Sequence, residues 1–313
     1  FPSEIVSIGI PKTNQIDSTV LIVNNFDRIS GPAWFDGTDR AGLDNMTDSG
    51  IGYISDITFT GQMYNFRRSD NWISNDRPGF GASYSDMAGE TIAGNSFDYP
   101  ALHGKAILQA GHAFYSCSNE RFMHDQYIHP DAWAVDLICG KQLTVQLGGS
   151  HKYQVFPEDL QRAICGYTSN GGNLIVSGAY IGTDVCDAVY PVEVCDSLRK
   201  KSEEFLAETL GIKYVTSHAS RKGTIGKWTG SSSAAEDRMS IVMSPNSNIY
   251  CVESVDAIAP AAPSAQTVLR YSDSNLPAGT AFQGEGYRCI SFGFPIETLE
   301  NDQMRYNLIS YTL

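Results

Sequence analysis

Polar clusters that follow apolar runs are the residues best suited to chemistry in this 313-residue sequence. One set could supply acid–base catalysts, nucleophiles and an arginine for an anionic group: Asp27, Arg28, Ser118, Asn119, Glu120 and Asp184. A second set could bind a substrate beside them: Asn25, Lys141, Gln142, Ser177 and Tyr180. Because each cluster follows a predicted strand, the sequence predicts one crevice at the carboxyl ends of a parallel sheet.

The same clusters also have an ordinary structural interpretation. Ser118 or Asn119 could cap a following helix, and Asp27 could pair with a neighbouring base. Two histidines, His103 and His112, bracket a predicted helix, where either could act as a general base or lie on the helix surface without a catalytic role. The sequence leaves both interpretations open.

Two polar loops carry residue types that bind metals. One holds His124, Asp125, His129 and Asp131, and the other holds Asp36, Asp39, Asp44, Asn45 and Asp48. The first loop lacks a helical ligand spacing, and the second lacks the ligand order of an EF-hand. We therefore predict solvated loops, with no metal and no cofactor.

Residues 31–100 are rich in aromatic side chains. They are Trp34, Tyr53, Tyr64, Phe66, Trp72, Phe80, Tyr84 and Tyr99. Aromatic faces stack on flat apolar ligands such as sugar rings, but long ordered loops also need a core of their own. Glycan binding and loop packing are therefore equal alternatives.

Four apolar runs predict the strands that position the polar clusters. They are Val20–Val23, Phe114–Ser116, Ala134–Ile138 and Leu174–Ser177. Predicted helices alternate with these runs; Pro157 starts one of them, and Gly171 and Gly172 end it. This alternation predicts an α/β fold with an open, mostly parallel sheet and helices on both faces.

The domain organisation follows from changes in pattern along the chain. Residues 1–18 are short, polar and interrupted by proline, which predicts a linker from an upstream domain. Residues 19–313 are predicted to form a single α/β domain. Within it, 31–100 is a loop-rich insertion and 213–260, with its short β-like pieces, is a small antiparallel β insertion.

Charge and cysteine content limit the partners. The chain has 22 Lys and Arg against 35 Asp and Glu, a net charge of -13, which disfavours nucleic acid and anionic membrane surfaces. No apolar run reaches membrane-spanning length, so we expect no membrane insertion. The seven cysteines leave at least one thiol free; Cys186 and Cys195 could pair, and most of the others are expected to be buried. Since Phe1 is not Met, we expect a processed piece of a larger protein.

Longer sequence patterns resemble known proteins. LQRAICGYTSNGGNLIVSGAYIG, with VDLICGKQ before it and GYRCISFGFPIETLENDQMRYNLI after it, resembles the class I glutamine amidotransferase-like fold, which is flavodoxin-like. VLIVNNFDRISGPAWFDG, TIAGNSFDYP, FYSCSNE and SGAYIGTDV, in this order, are similar to large secreted proteins of gut Bacteroidetes that carry the label xanthan lyase. The resemblance implies a secreted, periplasmic or cell-surface location, with other domains of the same polypeptide as partners.

The resemblance does not extend to glutaminase chemistry. LICGKQ is similar to the nucleophile elbow of amidotransferases, but Cys139 ends the strand before the helix-GG-strand unit, and Ser177 stands at the elbow position. No Cys-His-Glu triad can be carried over. We therefore predict a non-catalytic or weakly catalytic module associated with glycan, and the alternative is a polysaccharide-directed hydrolase or lyase.

Overall fold

A computed structural model shows how the chain folds. It describes residues 7–12, 18–26, 34–43, 55–56, 63–72, 79–83, 91–94, 98–124, 131–143, 145–147, 150–152, 154–183, 196–226 and 238–313. These residues fall into two compact units. The first comprises residues within 1–27, 97–241 and 254–313, and the second comprises residues within 28–96 and 242–253.

Helices and strands alternate along much of the described chain. The helices are α1 (Tyr99–Gln109), α2 (Asn119–His124), α3 (Glu158–Ser169), α4 (Asp196–Glu208) and α5 (Asp302–Thr312), with a 3-10 helix at Ile296–Thr298. The strands are β1 (Ile8–Gly9), β2 (Thr19–Asn24), β3 (Trp34–Asp36), β4 (Ala41–Leu43), β5 (Ser55–Asp56), β6 (Ile92–Ala93), β7 (Ala113–Ser118), β8 (Ala132–Gly140), β9 (Val145–Leu147), β10 (Ser150–Lys152), β11 (Asn173–Gly178), β12 (Ile212–Thr216), β13 (Thr224–Ile225), β14 (Met239–Ser240), β15 (Ala257–Pro260), β16 (Ala265–Arg270), β17 (Pro277–Gln283) and β18 (Arg288–Phe292).

An eight-stranded sheet forms the centre of the first unit, in the order β1-β7-β2-β8-β11-β18-β17-β16. The five strands β7, β2, β8, β11 and β18 are parallel to their neighbours among themselves. At one edge β1 pairs antiparallel with β7, and at the other β17 and β16 form an antiparallel hairpin. The prediction of a mostly parallel α/β sheet is confirmed, and the four predicted strands are neighbours in it. The narrower amidotransferase-like assignment stays a prediction.

Helices pack on both faces of this sheet. Leu21 and Val23 of β2 belong to a core that includes Leu160 of α3 and Phe205 of α4. Ile22 points to the opposite face because side chains alternate along a strand. On that face Asp136 of β8, the register partner of Ile22, meets α1. Both faces are therefore covered, which explains why the central strands β2, β8 and β11 are almost continuously apolar.

Helix α3 shows how local sequence signals set the boundaries. Pro157 is extended at the N-cap, and Glu158 and Asp159 lie in the first turn, where carboxylates favour the positive end of the helix dipole. After the helix, Gly171 has a φ of 86°, a conformation that side chains with a Cβ rarely adopt. The predicted proline start and glycine stop are therefore observed.

The segment predicted as a β insertion contains short antiparallel pairs. β12 pairs with β15, and β13 pairs with β14. Residues 227–237 of this segment lie outside the described residues. Gly211, just before β12, has a φ of 69°, and a Cβ there would lie 2.3 Å from Phe282. Glycine is thus required in the turn between α4 and β12.

The segment predicted as a linker differs in part from the expectation. Ile8 and Gly9 form β1, with Ile8 opposite Tyr115 and Gly9 opposite Phe114. A Cβ on Gly9 would lie 2.3 Å from the Phe114 ring, so glycine allows this close approach. The open edge of β7 offers unpaired backbone groups, and a short polar segment can satisfy them. These two residues are therefore sheet, not linker.

The second unit contains short ladders. β3 pairs with β4, and β5 pairs with β6. Isolated bridges join Met63 to Ser83 and Trp72 to Phe80. Ala93 donates its backbone N–H to the carbonyl of Asn246, which ties residues 242–253 to this unit. The single-domain division with two insertions, made from the sequence, stays a prediction.

Candidate functional site

Most of the described candidate residues lie together at the carboxyl ends of the parallel strands. Ser118 ends β7, Asn25 follows β2, Lys141 follows β8, and Ser177 lies near the end of β11. Because these strands are adjacent and parallel, their carboxyl ends lie together. Three candidates, Asp27, Arg28 and Asp184, lie outside the described residues.

Asn25 is fixed by structural hydrogen bonds. Its side-chain amide donates to the carbonyl of Val155 at 2.8 Å, and its amide oxygen accepts from Asn119 at 3.3 Å. The same Nδ2 lies 3.6 Å from the sulfur of Cys139. Asn25 is 1% exposed. This residue therefore connects the end of β2 to the segments after β7 and before α3.

Ser118 caps the helix that follows it. Its hydroxyl oxygen accepts the backbone N–H of Arg121 at 3.1 Å, and the Asn119 side chain accepts the N–H of Glu120 at 2.8 Å. The carboxylate-bearing Glu120 is exposed in the first turn of α2. These bonds are the capping contacts that the alternative interpretation of this cluster predicts.

Four further candidates are buried at the same edge: Lys141, Gln142, Ser177 and Tyr180. The Ser177 hydroxyl, which is fully buried, has no hydrogen-bond partner among the described residues. The same is true of both side-chain polar atoms of Asn24, which sequence analysis did not single out. Asn24 and Ser177 are the register partners of Ile138 on its two sides. The side chains of Asn24 and Ser177 therefore lie in one row across the sheet, and neither has a hydrogen-bond partner among the described residues. Buried polar groups without a partner are rare in folded proteins and require an explanation.

Asp256 organises the turn after β11. Its buried carboxylate accepts the backbone N–H groups of Gly182 at 2.8 Å and Thr183 at 2.6 Å, as well as the Thr183 hydroxyl. The Tyr271 hydroxyl donates to the Asp256 carbonyl at 3.0 Å. The chain is therefore fixed as far as Thr183, the residue before Asp184. Asp256 was not predicted from the sequence, although a lone aspartate beside the apolar run AIAP was a signal for a buried partner.

A buried histidine lies between two carboxylates on the α1 face of the sheet. His103 Nδ1 is 2.7 Å from Asp136 Oδ2, and His103 Nε2 is 3.3 Å from Glu297 Oε2. All three side chains are 0% exposed. Burial lowers the pKa of His103, but the charge and hydrogen bond of Asp136, together with those of Glu297, outweigh it and raise the pKa to about 10. His103 therefore fits neither alternative that the sequence left open: its raised pKa does not suit a general base near neutral pH, and its side chain is buried and does not lie on the helix surface.

The aromatic residues of the 31–100 region have different environments. Phe66 packs against Phe35, with ring centroids 5.4 Å apart, and carries the Arg40 guanidinium over its face. Tyr99 is buried against Phe26 in the first unit. In contrast, the side chain of Trp72 is 68% exposed. Some aromatics thus pack, as one alternative predicted, and Trp72 presents its ring to solvent.

Metal and membrane features can be stated for the described residues only. There, no group of three or more His, Cys, Asp or Glu side chains is arranged to hold a metal ion. Most of the His124 loop and part of the Asp36 loop lie outside the described residues. No helix in the described segments has both the length and the hydrophobicity to cross a bilayer.

Comparison with known proteins gives only distant structural similarity. No family model and no curated protein matches the chain. An exo-β-1,4-mannosidase from Opitutaceae bacterium strain TAV5 aligns at 10% identity and a TM-score of 0.41, over 70% of this chain and 32% of the mannosidase. A β-galactosidase from Rahnella sp. R3 aligns at 13% identity and a TM-score of 0.39, over 68% of this chain and 26% of the enzyme.

A third structure covers more of the chain. A cytoplasmic protein from Salmonella typhimurium aligns at 10% identity and a TM-score of 0.43, over 93% of this chain and 96% of that protein. The chain spans less than a third of either glycosidase. At this level of similarity the three alignments assign neither a family nor an activity.

Proposed function

We propose that this chain is a non-catalytic module that binds glycan within a larger secreted bacterial surface protein. The exposed indole of Trp72 is the observation that carries the proposal. The secreted location and the neighbouring domains of the same polypeptide belong to the proposal and follow from the sequence resemblance described above. The net charge of -13 supports a partner other than nucleic acid.

The surroundings of Trp72 suit a sugar ring. Tyr64, a second aromatic residue of the same unit, is 39% exposed. Asn65 donates its side-chain amide to Asp70 at 3.0 Å, so an amide and a carboxylate lie close to Trp72 along the chain. Sugars are bound by aromatic faces that stack on C–H surfaces and by planar polar groups that accept or donate to hydroxyls. In this proposal Trp72 supplies the stacking face, and the Asn65–Asp70 pair supplies the polar groups.

Several polar side chains of the first unit already form hydrogen bonds or ion pairs within the protein, which supports a binding role over a catalytic one. Ser118 uses its hydroxyl as a helix cap, and Asn25 uses its amide to join backbone segments. His103 has a carboxylate at each ring nitrogen. A nucleophile needs a base within hydrogen-bond reach, and these described groups are occupied by other partners.

The test is a glycan panel screened for binding and for turnover. Trp72→Ala should weaken binding by about 2-fold to 12-fold, because a stacked aromatic contributes about 0.5–1.5 kcal/mol. Trp72→Phe should retain part of the affinity, since a smaller aromatic face remains. Val215→Ala, which truncates a 42% exposed apolar side chain in the first unit, is the matched control and should bind like the parent. Equal binding by Trp72→Ala and the parent would contradict the proposal.

The second candidate is a polysaccharide-directed hydrolase or lyase. The unsatisfied side chains of Asn24 and Ser177 at the carboxyl edge favour it, because buried unpaired polar groups are frequent at functional sites. In such an enzyme the carboxylates would come from Asp27, Glu120 and Asp184, and Arg28 would bind an anionic group of the substrate. This candidate predicts that the parent releases reducing ends or unsaturated sugars from a polysaccharide. Asp27→Ala and Glu120→Ala should abolish that release without a change in melting temperature.

A further inference from the structure

A cavity of about 260 Å³ lies in the first unit at the end of the sheet opposite to the predicted crevice. Asn173 and Arg288, the first residues of β11 and β18, line it, so it opens at the amino ends of the parallel strands. Tyr311, Thr312 and Leu313 line it from the end of α5. This cavity shares none of its lining residues with the candidate sites described above.

The strand register explains how the cavity obtains a polar rim and an apolar floor. Arg288 pairs with Gln283, so these two side chains lie on the same face of the sheet. One step along that face, Ile290 pairs with Ala281. All four residues line the cavity, together with Gln266, the partner of Ala281 on β16. The result is a row of small and branched apolar side chains beside two amides and a guanidinium.

Arg288 is the one charged side chain that lines the cavity. Within the described part of the chain, its guanidinium has no hydrogen-bond or ion-pair partner; only its backbone N–H is engaged, with Asn173 Oδ1 at 3.0 Å. An arginine remains protonated at all ordinary pH values and offers a fork of N–H donors that matches a carboxylate. Because Arg288 is exposed, its positive charge lies at the mouth of the cavity, and no carboxylate side chain of the lining neutralises it.

We propose that this cavity binds a small organic monocarboxylate with a flat apolar body. The carboxylate would accept hydrogen bonds from Arg288, and the body would lie on Ile290 and Ala281. The volume is slightly below the roughly 300 Å³ at which ligand pockets usually begin, which favours a single ring. A phosphate dianion fits less well, because one guanidinium is present and the carboxyl end of α5 adds partial negative charge nearby.

Titration calorimetry with benzoate and its neutral isostere benzamide tests the charge. The parent should bind benzoate up to about fivefold more tightly than benzamide, since an ion pair with an exposed guanidinium contributes up to about 1 kcal/mol. Arg288→Gln should reduce this preference to near unity. Arg162→Gln, which removes an exposed arginine on α3, is the matched control and should keep the preference. Equal binding of the two probes by the parent, or an unchanged preference in Arg288→Gln, would overturn the proposal.

A second variant tests the location independently of charge. Ala281→Leu should fill part of the floor and weaken benzoate binding at least tenfold while Arg288 keeps its charge. Inorganic phosphate serves as a further probe, and tighter binding of phosphate than of benzoate would reject the monocarboxylate assignment. Absence of benzoate binding at millimolar concentration would reject the site. Neither result depends on Trp72, so this proposal and the glycan proposal can fail separately.

Discussion

Replacing His103 with glutamine should remove a specific pH dependence from the stability of the first unit. In the folded chain the pKa of His103 is raised from 6.5 to about 10: burial opposes ionisation, but Asp136 and Glu297 outweigh it. A folded pKa above the unfolded one means that the folded chain binds the proton more tightly. The stabilisation is therefore complete below about pH 6.5 and is lost as the pH rises through about 10.

The magnitude follows from the two pKa values. Each pKa unit corresponds to about 1.36 kcal/mol, so protonated His103 contributes roughly 4 kcal/mol to the free energy of unfolding at pH 7 and roughly 0.4 kcal/mol at pH 10. Glutamine has nearly the length of histidine and can still donate to one carboxylate, but it carries no titrating proton. The stability difference between the parent and His103→Gln should therefore shrink by roughly 3–4 kcal/mol over this range.

Urea unfolding of both chains from pH 6 to pH 10, followed by circular dichroism, measures this difference. Lysines and tyrosines distant from His103 are common to both proteins and cancel in it. Asp136 and Glu297 lose their cation in the variant and do not cancel, so the assignment to His103 depends on the NMR signals of its ring. His218→Gln, which removes an exposed histidine with no buried carboxylate partner among the described residues, is the control. The NMR signals of the His103 ring provide a direct check in the unaltered chain. A constant difference across the range, or a ring that titrates near its ordinary pKa, would refute the reasoning.

Three smaller changes test the packing and the strand ends by their effect on the free energy of unfolding. Ser118→Ala should lower it by about 1 kcal/mol, because the Arg121 N–H loses its cap acceptor; no loss would mean that the cap is not formed. Gly104→Ala should lower it by about 1–3 kcal/mol, since a Cβ would lie 2.2 Å from the Phe114 ring; a second change, Phe114→Leu, should recover part of the loss. Ser177→Ala should leave it unchanged or raise it by about 1 kcal/mol, because an unpaired buried hydroxyl is removed; a clear decrease would show that the hydroxyl has a partner.

The parallel sheet could be predicted because its strands are continuous apolar runs. β2, β8 and β11 are almost fully buried, and burial on both faces demands apolar residues at every position. β1 could not be predicted, because two residues with Ile8 largely exposed carry no periodic signal. Their place in the sheet depends on the free edge of β7, which is a property of the folded chain.

The positions of the strand-end candidates followed from topology, but their hydrogen bonds did not. Whether Ser118 caps α2 or faces a cleft depends on the rotamer and on the turn geometry, neither of which is visible in the sequence. The network of His103, Asp136 and Glu297 was missed because His103 and Glu297 are 194 positions apart. Asp136 was its one local signal: a charged residue in the middle of a buried strand requires a partner.

The buried network of His103, Asp136 and Glu297 cannot be completed until Glu297 has been synthesised. Glu297 lies 194 residues after His103, so at about 5–20 residues per second a ribosome reaches it roughly 10–40 s later. During that interval His103 and Asp136 have one carboxylate fewer than in the finished protein. β18, which pairs with β11 to extend the parallel sheet, is made shortly before Glu297. The α1 face of the sheet must therefore stay incomplete until synthesis has passed residue 297, and a chain that stalls before this residue would leave the face exposed.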